Sequence, residues 1–407
     1  MQHPLKPSLL ALGLFGVTAA AVIAYPSLQS AEIQPLQPTP SPIANPPVAV
    51  VRAPVIEAVF VLDTTGSMGG LIQAAKDRIW SIASTMAAGQ PAPEIRIGLV
   101  AYRDRGDDYV TRVVDLSRDL DGIQGQLMQF QAQGGGDGPE SVNQALADAL
   151  DRINWSQDPG VYRVIFLVGD APAHLDYQDD VPYTRTLAEA KRRGIRVNAI
   201  QCGQLPETAK EWRQIAQLGD GSYFQVEQNG GAVAVATPYD EPLARLSAEL
   251  DATRLYYGAS GERAAKREKL AADAATQAAA SPAARARRAE FVASKSGAVS
   301  LLGDKELVDE VSSGRVDLES LPAEQLPAPL ASLSPESKRD LVAKTAARRE
   351  DLRQQIQALS AQRADYVKRE LEASGGVKGT LDHKIFDAVR EQSVGAGLRY
   401  DKDGPSY

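Results

Sequence analysis

The sequence predicts a doubly wound α/β domain with a mostly parallel sheet, followed by an extended α-helical C-terminal region. Two observations carry this. Between Val55 and Glu227 short apolar runs alternate with amphipathic helical periods, as in strands joined by crossover helices. Beyond Pro238 the β pattern disappears, and stretches rich in Ala, Glu, Lys, Arg and Leu take over.

Taken in order, Val55 to Leu62 reads as a strand, Gly69 to Ala88 as a helix with Leu71, Ala75, Ile79, Ile82 and Met86 on one face, and Ile95 to Tyr102 as a second strand. Tyr109 to Asp115 suits a short edge strand, and Leu120 to Phe130 and Ser141 to Ile153 suit helices. Tyr162 to Val168, YRVIFLV, has the near-continuous apolar character of a strand buried on both faces. Thr184 to Arg193 is a helix ending at Gly194, Ile195 to Gln201 a strand, Glu207 to Leu218 a helix and Ser222 to Val226 a last strand. Helices are expected over Leu243 to Ala280, Ala283 to Ser296 and Pro335 to Ala373, with breaks at Ser281-Pro282, at Gly297 and in the proline-punctuated SLPAEQLPAPLASLSP from Ser320 to Pro335. Their apolar positions are too sparse for a thick core, which implies extended helices or a helical hairpin. A short helical stretch around Ile385 to Val394 closes the chain.

The run SLLALGLFGVTAAAVIA from Ser8 to Ala24, behind Lys6 and ending in small residues, reads as a bacterial export signal or an uncleaved membrane anchor. No cysteine follows it, which excludes lipoprotein processing. The proline repeats between Glu32 and Pro54 deny helix and ladder hydrogen bonds, so this segment reads as an extended spacer. The expected organisation is therefore residues 1–24 signal or anchor, 25–54 linker, 55–230 the α/β domain, 238–312 helical, 313–335 a proline-containing linker and 336–407 helical with a tail. The expected location is the periplasm or cell envelope, with the N-terminal segment as the candidate membrane attachment.

Composition narrows the chemistry. The chain has 407 residues, 52 acidic against 44 basic and a formal charge of −8, well mixed, so it presents no large positive field for nucleic acid. Its one cysteine, Cys202, permits neither an intrachain disulfide nor a thiolate zinc cluster and reads as an inert buried thiol. His3, His174 and His383 are scattered. Any metal site is therefore built from oxygen, which suits Mg2+, Ca2+ or Mn2+.

Three loops would meet at the carboxyl ends of the strands, where open α/β sheets carry their ligands. DTTGS after the first strand offers Asp63, Thr65 and Ser67; GGGDGPE offers Asp137 and Glu140; GDAP after YRVIFLV offers Asp170. The plain alternative is that Thr65 or Ser67 caps the following helix. Hard-cation chemistry also accounts for the residue types, with hydroxyls and water as neutral ligands and carboxylates supplying charge.

DTTGS resembles the Asp-x-Ser/Thr-x-Ser signature of von Willebrand factor type A (vWA) domains. With AYRD, GGGDGPE and GDAPAH, it looks like the hemicentin- or alpha-kinase-associated subgroup. The resemblance covers about Val55 to Glu227 and implies a Rossmann-like fold with a metal-ion-dependent adhesion site (MIDAS). There Asp63, Thr65 and Ser67 match the first motif, and Asp170 matches the distal aspartate that usually reaches the metal through water. The family's threonine in the second loop is replaced by Gly136-Asp137, so Asp137 or a water fills that position. An added charge there makes the metal less electrophilic. The implied function is metal-dependent binding of an acidic group on a protein partner, without catalysis.

DTTGS also looks like the aspartyl-phosphate motif of haloacid-dehalogenase-type phosphotransferases, with Asp63 as nucleophile and Asp170 with Asp176 as the magnesium pair. That chemistry gives GGGDGPE no role, and Arg163 is the nearest counterpart of its lysine. Among other residues, Asp104, Asp107 and Asp108 read as a solvated turn or a partner-selecting rim. Arg105-Gly106-Asp107 invites an integrin-ligand reading but recurs by chance. His174 is placed to bond an anion or to cap a loop, and the Arg285 to Arg288 cluster reads as a solvated helix face or a lipid contact.

Overall fold

The computed structural model describes residues 53–136, 138–229, 235–373 and 381–400. The proposed export segment and the spacer up to residue 52 lie outside them, as does Asp137. Strand β1 (Val55–Asp63) is buried from Ile56 onward because it lies at the middle of the sheet. Alternate residues feed two separate cores: Ile56, Ala58, Phe60 and Leu62 point to one face, and Val59 and Val61 to the other. Strands β2 (Glu94–Tyr102) and β4 (Val161–Gly169) flank it in parallel, β5 (Ile195–Cys202) and β6 (Tyr223–Val226) extend the β4 side in parallel, and β3 (Thr111–Ser117) closes the other edge antiparallel. The order is β3-β2-β1-β4-β5-β6. The edge strand forms two residues later than expected.

This order reverses direction between β1 and β4, the position at which connections leave to opposite faces and a crevice opens. Leu62 pairs with Val168, so the chain leaves β1 at Asp63 beside Gly169-Asp170. Helices α1 (Gly69–Ala87) and α2 (Leu120–Gln129) cover one face; α3 (Val142–Asp151), α4 (Tyr183–Arg192) and α5 (Pro206–Leu218) cover the other.

Most of the C-terminal helices join the first of these cores, while Leu307, Val308, Leu318, Leu326, Leu330 and Val342 form a third, smaller cluster of their own. The expected helix from Leu243 to Ala280 is two, α6 (Asp240–Asp251) and α7 (Ser260–Ala279). The chain between them is extended because the Leu307 amide donates to the Leu255 carbonyl at 2.7 Å and the Tyr257 amide to Lys305 at 3.2 Å. Helices α8 (Pro282–Ala293) and α9 (Lys295–Leu302) break at Ser294 instead of Gly297, since the Ser294 hydroxyl accepts from the Gly297 amide and caps α9. After α10 (Leu307–Ser312) and the short α11 (Ala328–Ala331), the 39-residue α12 (Pro335–Ala373) spans about 58 Å.

The apolar positions of this region are sparse, as expected, yet its helices are not held out as a free hairpin. Phe291 and Val292 of α8, Leu352 and Ile356 of α12, and Ile385 and Val389 of α13 (Leu381–Gln392) join the core under α1 and the sheet. Buried ion pairs complete the packing. Arg288 donates to both oxygens of Asp121 at 2.6 and 2.7 Å and to Asp251 at 2.9 Å. The Arg285 to Arg288 cluster is therefore not a solvated face: Arg288 is buried and Arg287 donates to Ser81.

Candidate metal centre

β1 ends in a tight turn that Asp63 itself builds. Its Oδ1 accepts from the Thr65 amide at 2.8 Å and from the Thr65 hydroxyl at 2.6 Å. The Thr65 and Ser67 hydroxyls lie 3.4 Å apart. Neither caps the helix that follows, so the capping alternative does not hold. Asp63 Oδ2 is buried and has no hydrogen-bond partner among the described residues. Such an oxygen is costly unless something positive reaches it.

The glycine loop is laced to both neighbours by backbone bonds. The Gly66 amide donates to Gly134 and the Gln133 amide to Thr64, while the Glu140 amide donates to Pro172 and the His174 amide to Glu140. Gly134 and Gly135 both have φ near +77°, at +78° and +76°, which lets the backbone turn inward. The carboxylate of Asp107 accepts from the Gly135 amide at 3.0 Å and fixes this turn. The Arg-Gly-Asp tripeptide is thus folded onto the loop and is not presented as a ligand. Asp104, expected in a solvated turn, is buried: it accepts from Ser141 at 2.9 Å and Tyr177 at 3.0 Å.

Ser67, Gly138, Glu140, Asp170 and Gln228 line one crevice of about 500 Å³ at the switch point. Asp170 Oδ2 accepts from the Gln228 side chain at 2.6 Å. Glu140 Oε2 is a second buried oxygen with no partner among the described residues. The electrostatics follow from this crowding. Burial pushes the Asp63 carboxyl up to about 7 against the lowering effect of the Thr65 bonds, with Asp170 adding repulsion. Burial and then the Asp63 charge push Glu140 up to about 9. Burial, then Asp63 and Glu140, also raise the Tyr102 phenol, whose oxygen lacks a partner among the described residues. Cys202 is fully buried, and burial raises its thiol, as an inert thiol requires.

The residues fit a hard divalent cation: Ser67, Glu140 and Asp170 line the crevice, and the orphaned Asp63 oxygen and the Thr65 hydroxyl belong to the same turn as Ser67. Among the described residues no group of three or more His, Cys, Asp and Glu gathers closely enough to hold a metal by itself. A cation would therefore draw on the hydroxyls as well, and Asp137 lies outside the described residues. Sequence reasoning missed Gln228, which follows the last strand with no motif around it. It also missed Ser141 and Tyr177, although both adjoin quoted motifs. His174 serves the loops and not an anion, since its ring nitrogens face Asp104 and Asp176.

The phosphotransferase arrangement is not assembled. Asp176 is tied to His174 and does not line the crevice. Arg163 donates to the Ser156 and Asp158 carbonyls at the amino end of β4, about 20 Å of strand away from Asp170.

A doubly wound sheet with an oxygen-lined crevice at its switch point defines the class. Residues 57–238 match the von Willebrand factor A domain family, and this part of the chain is a vWA domain. A comparison with curated proteins finds no match. Among solved structures, proximal thread matrix protein 1 (PTMP1) from the mussel byssus is similar at 17% identity, TM-score 0.33, over 44% of this chain and 43% of that one. The same mussel protein with a zinc-occupied MIDAS motif matches at 17% identity and TM-score 0.33, over 42% of each chain. The SpRpn10 VWA domain matches at 16% identity and TM-score 0.33, over 44% of this chain and 89% of that one. The chain thus spans less than half the length of the mussel protein.

Proposed function

We propose that the chain is an exported, divalent-metal-dependent protein-binding module of the cell envelope, whose vWA crevice coordinates an acidic group of a partner through a bound cation, Mg2+, Ca2+ or Mn2+. The observation that carries this reading is Asp63 Oδ2, a buried carboxylate oxygen without a partner among the described residues, beside the Thr65 and Ser67 hydroxyls. Asp63, Thr65 and Ser67 would hold the cation, with Asp170 behind them and Asp137 or Glu140 at the second loop. When bound, the cation supplies a Lewis-acidic position for an incoming carboxylate. The protein's own residues supply the rest: Gln228 orients Asp170, Asp107 holds the glycine turn, and no side chain is needed as a nucleophile. Export, through the segment from Ser8 to Ala24, would place the module where divalent ions are abundant.

The test combines calorimetry and capture. Mg2+ or Mn2+ titrated into the chelator-treated full chain should bind at one site that Asp63→Asn removes. A partner set captured from an envelope extract should depend on the cation. A captured set indifferent to chelator, or a hydroxylamine-sensitive phosphoenzyme at Asp63, would sink the reading.

A further inference from the structure

A second cavity, of about 520 Å³, lies between α7 and the proline-punctuated segment Ala323–Ala331, and it shares no lining residue with the vWA crevice. Its volume is that of a small-molecule site. Arg263, Lys266, Arg267 and Leu270 recur at helical spacing, so one face of α7 forms a wall. The opposite wall carries Leu326 with Pro327 and Pro329, and Leu255 closes the back. The Arg263 guanidinium bonds to the Leu326 carbonyl and ties the two walls together.

Charge at the cavity has the opposite sign to that of the whole chain. Arg254, at the back, is already paired with Asp251 at 3.1 Å. Lys266 stands 4.9 Å from the centre of the Tyr256 ring, whose hydroxyl is fixed by donating to the Leu302 carbonyl. Among the described residues neither Lys266 nor Arg267 has a carboxylate at ion-pair distance, and Glu324 is the only acidic residue of the lining. In a chain of net charge −8, two cations left over beside an apolar wall ask for an anion.

We propose that this cavity binds an amphipathic organic monoanion, a carboxylate on a medium-length aliphatic body. Its carboxylate meets Lys266 and Arg267, and its body lies on Leu255, Leu270 and Pro329. An inorganic anion satisfies the cations but leaves the apolar wall in water. A neutral hydrocarbon covers the wall but strips water from the cations without replacing it. Only a ligand with both parts answers both demands.

Calorimetry on the full chain tests this with octanoate, octanol and inorganic phosphate. Octanoate should bind about tenfold tighter than either of the others, and affinity should rise from hexanoate to decanoate. Replacing Lys266→Gln and Arg267→Gln together should weaken octanoate about tenfold and leave octanol unchanged. Arg267→Glu alone, at an exposed position that the fold does not depend on, should act in the same direction. Phosphate or octanol binding as tightly as octanoate, tighter binding of a Glu-rich peptide, or unchanged octanoate affinity in these variants would overturn the proposal.

Discussion

His174 Nε2 lies 3.2 Å from the Asp104 carboxylate, a contact that joins the loop after β4 to the loop after β2. The other ring nitrogen meets Asp176 at 2.8 Å, and the ring stacks on Tyr177, with centroids 4.2 Å apart. Tyr177 and Ser141 donate to Asp104 as well, so one buried carboxylate ties the loop after β2 to the loop after β4 and to the end of the glycine loop. Asp104→Ala should therefore lower unfolding free energy by about 2–3 kcal/mol in urea denaturation, because its donors lose their shared acceptor. Asp108→Ala, four residues along the same turn at an exposed position, should leave the urea midpoint where it is. Equal effects of the two would show that the Asp104 cluster does not hold the loops.

A pH dependence follows from the crevice. Asp63 and Glu140 are raised to about 7 and about 9, above the roughly 4 of an unfolded carboxyl. Between those limits the folded state keeps protons that the unfolded state has released, so the contribution of these two groups to stability in chelator is fully present near pH 4 and is lost as pH rises towards 9. Asp63→Asn should remove the part of the fall between about pH 4 and pH 7. Saturating Mg2+ should oppose the fall, because the cation takes the place of the protons. Melting temperatures across this range, with and without chelator, give the sign directly.

How much of this was legible in the sequence depended on whether a contact is local. Strands β1 and β4 were legible because burial on both faces leaves almost only apolar residues, and the Asp63 turn because hydroxyls and glycine interrupt the run at its end. Asp104 was not, since YRDRGDD has the charge of a solvated loop and only the approach of Ser141, His174 and Tyr177 from distant positions buries it. The docking of the helical region was hidden for the same reason. Arg288 and Arg363 look like surface charge until Asp121 and Asp240 meet them from other helices. The pairing of Gln228 with Asp170 joins loops that follow different strands and had no local signal.

The C-terminal helix is expected to be part of the folding unit. Asp382 on α13 is buried and accepts from Arg78 at 2.8 Å and Ser81 at 2.9 Å, both on α1. Gln392 at its end exchanges bonds with Asn198 on β5, with contacts of 2.7 and 3.1 Å. Asp382→Ala leaves the buried guanidinium groups of Arg78 and Arg287 with less opposing charge and should cost about 3–5 kcal/mol. Deleting residues 238–407 should leave the vWA portion insoluble, because the sheet face under Ile385 and Val389 would be bared. A soluble truncated protein with one cooperative thermal transition would contradict this.

Gly134 offers the most local test of how the glycine loop shapes the metal centre. Its φ of +78° is strained for any residue with a side chain, and an added Cβ would run into the Asp107 carboxylate. That carboxylate holds the Gly135 amide at 3.0 Å and the Asp104 amide at 3.2 Å, and the Gly134 carbonyl holds the Gly66 amide of the Asp63 turn at 3.1 Å. Gly134→Ala should therefore destabilise the fold by about 1–2 kcal/mol and displace the turn that carries Thr65 and Ser67. The rise in melting temperature on adding Mg2+ should shrink with it. Gly138→Ala is the matched control: it lines the same crevice, but an added Cβ there meets nothing within 4 Å. If both variants kept the full response to Mg2+, the backbone of this loop would have no part in holding the cation.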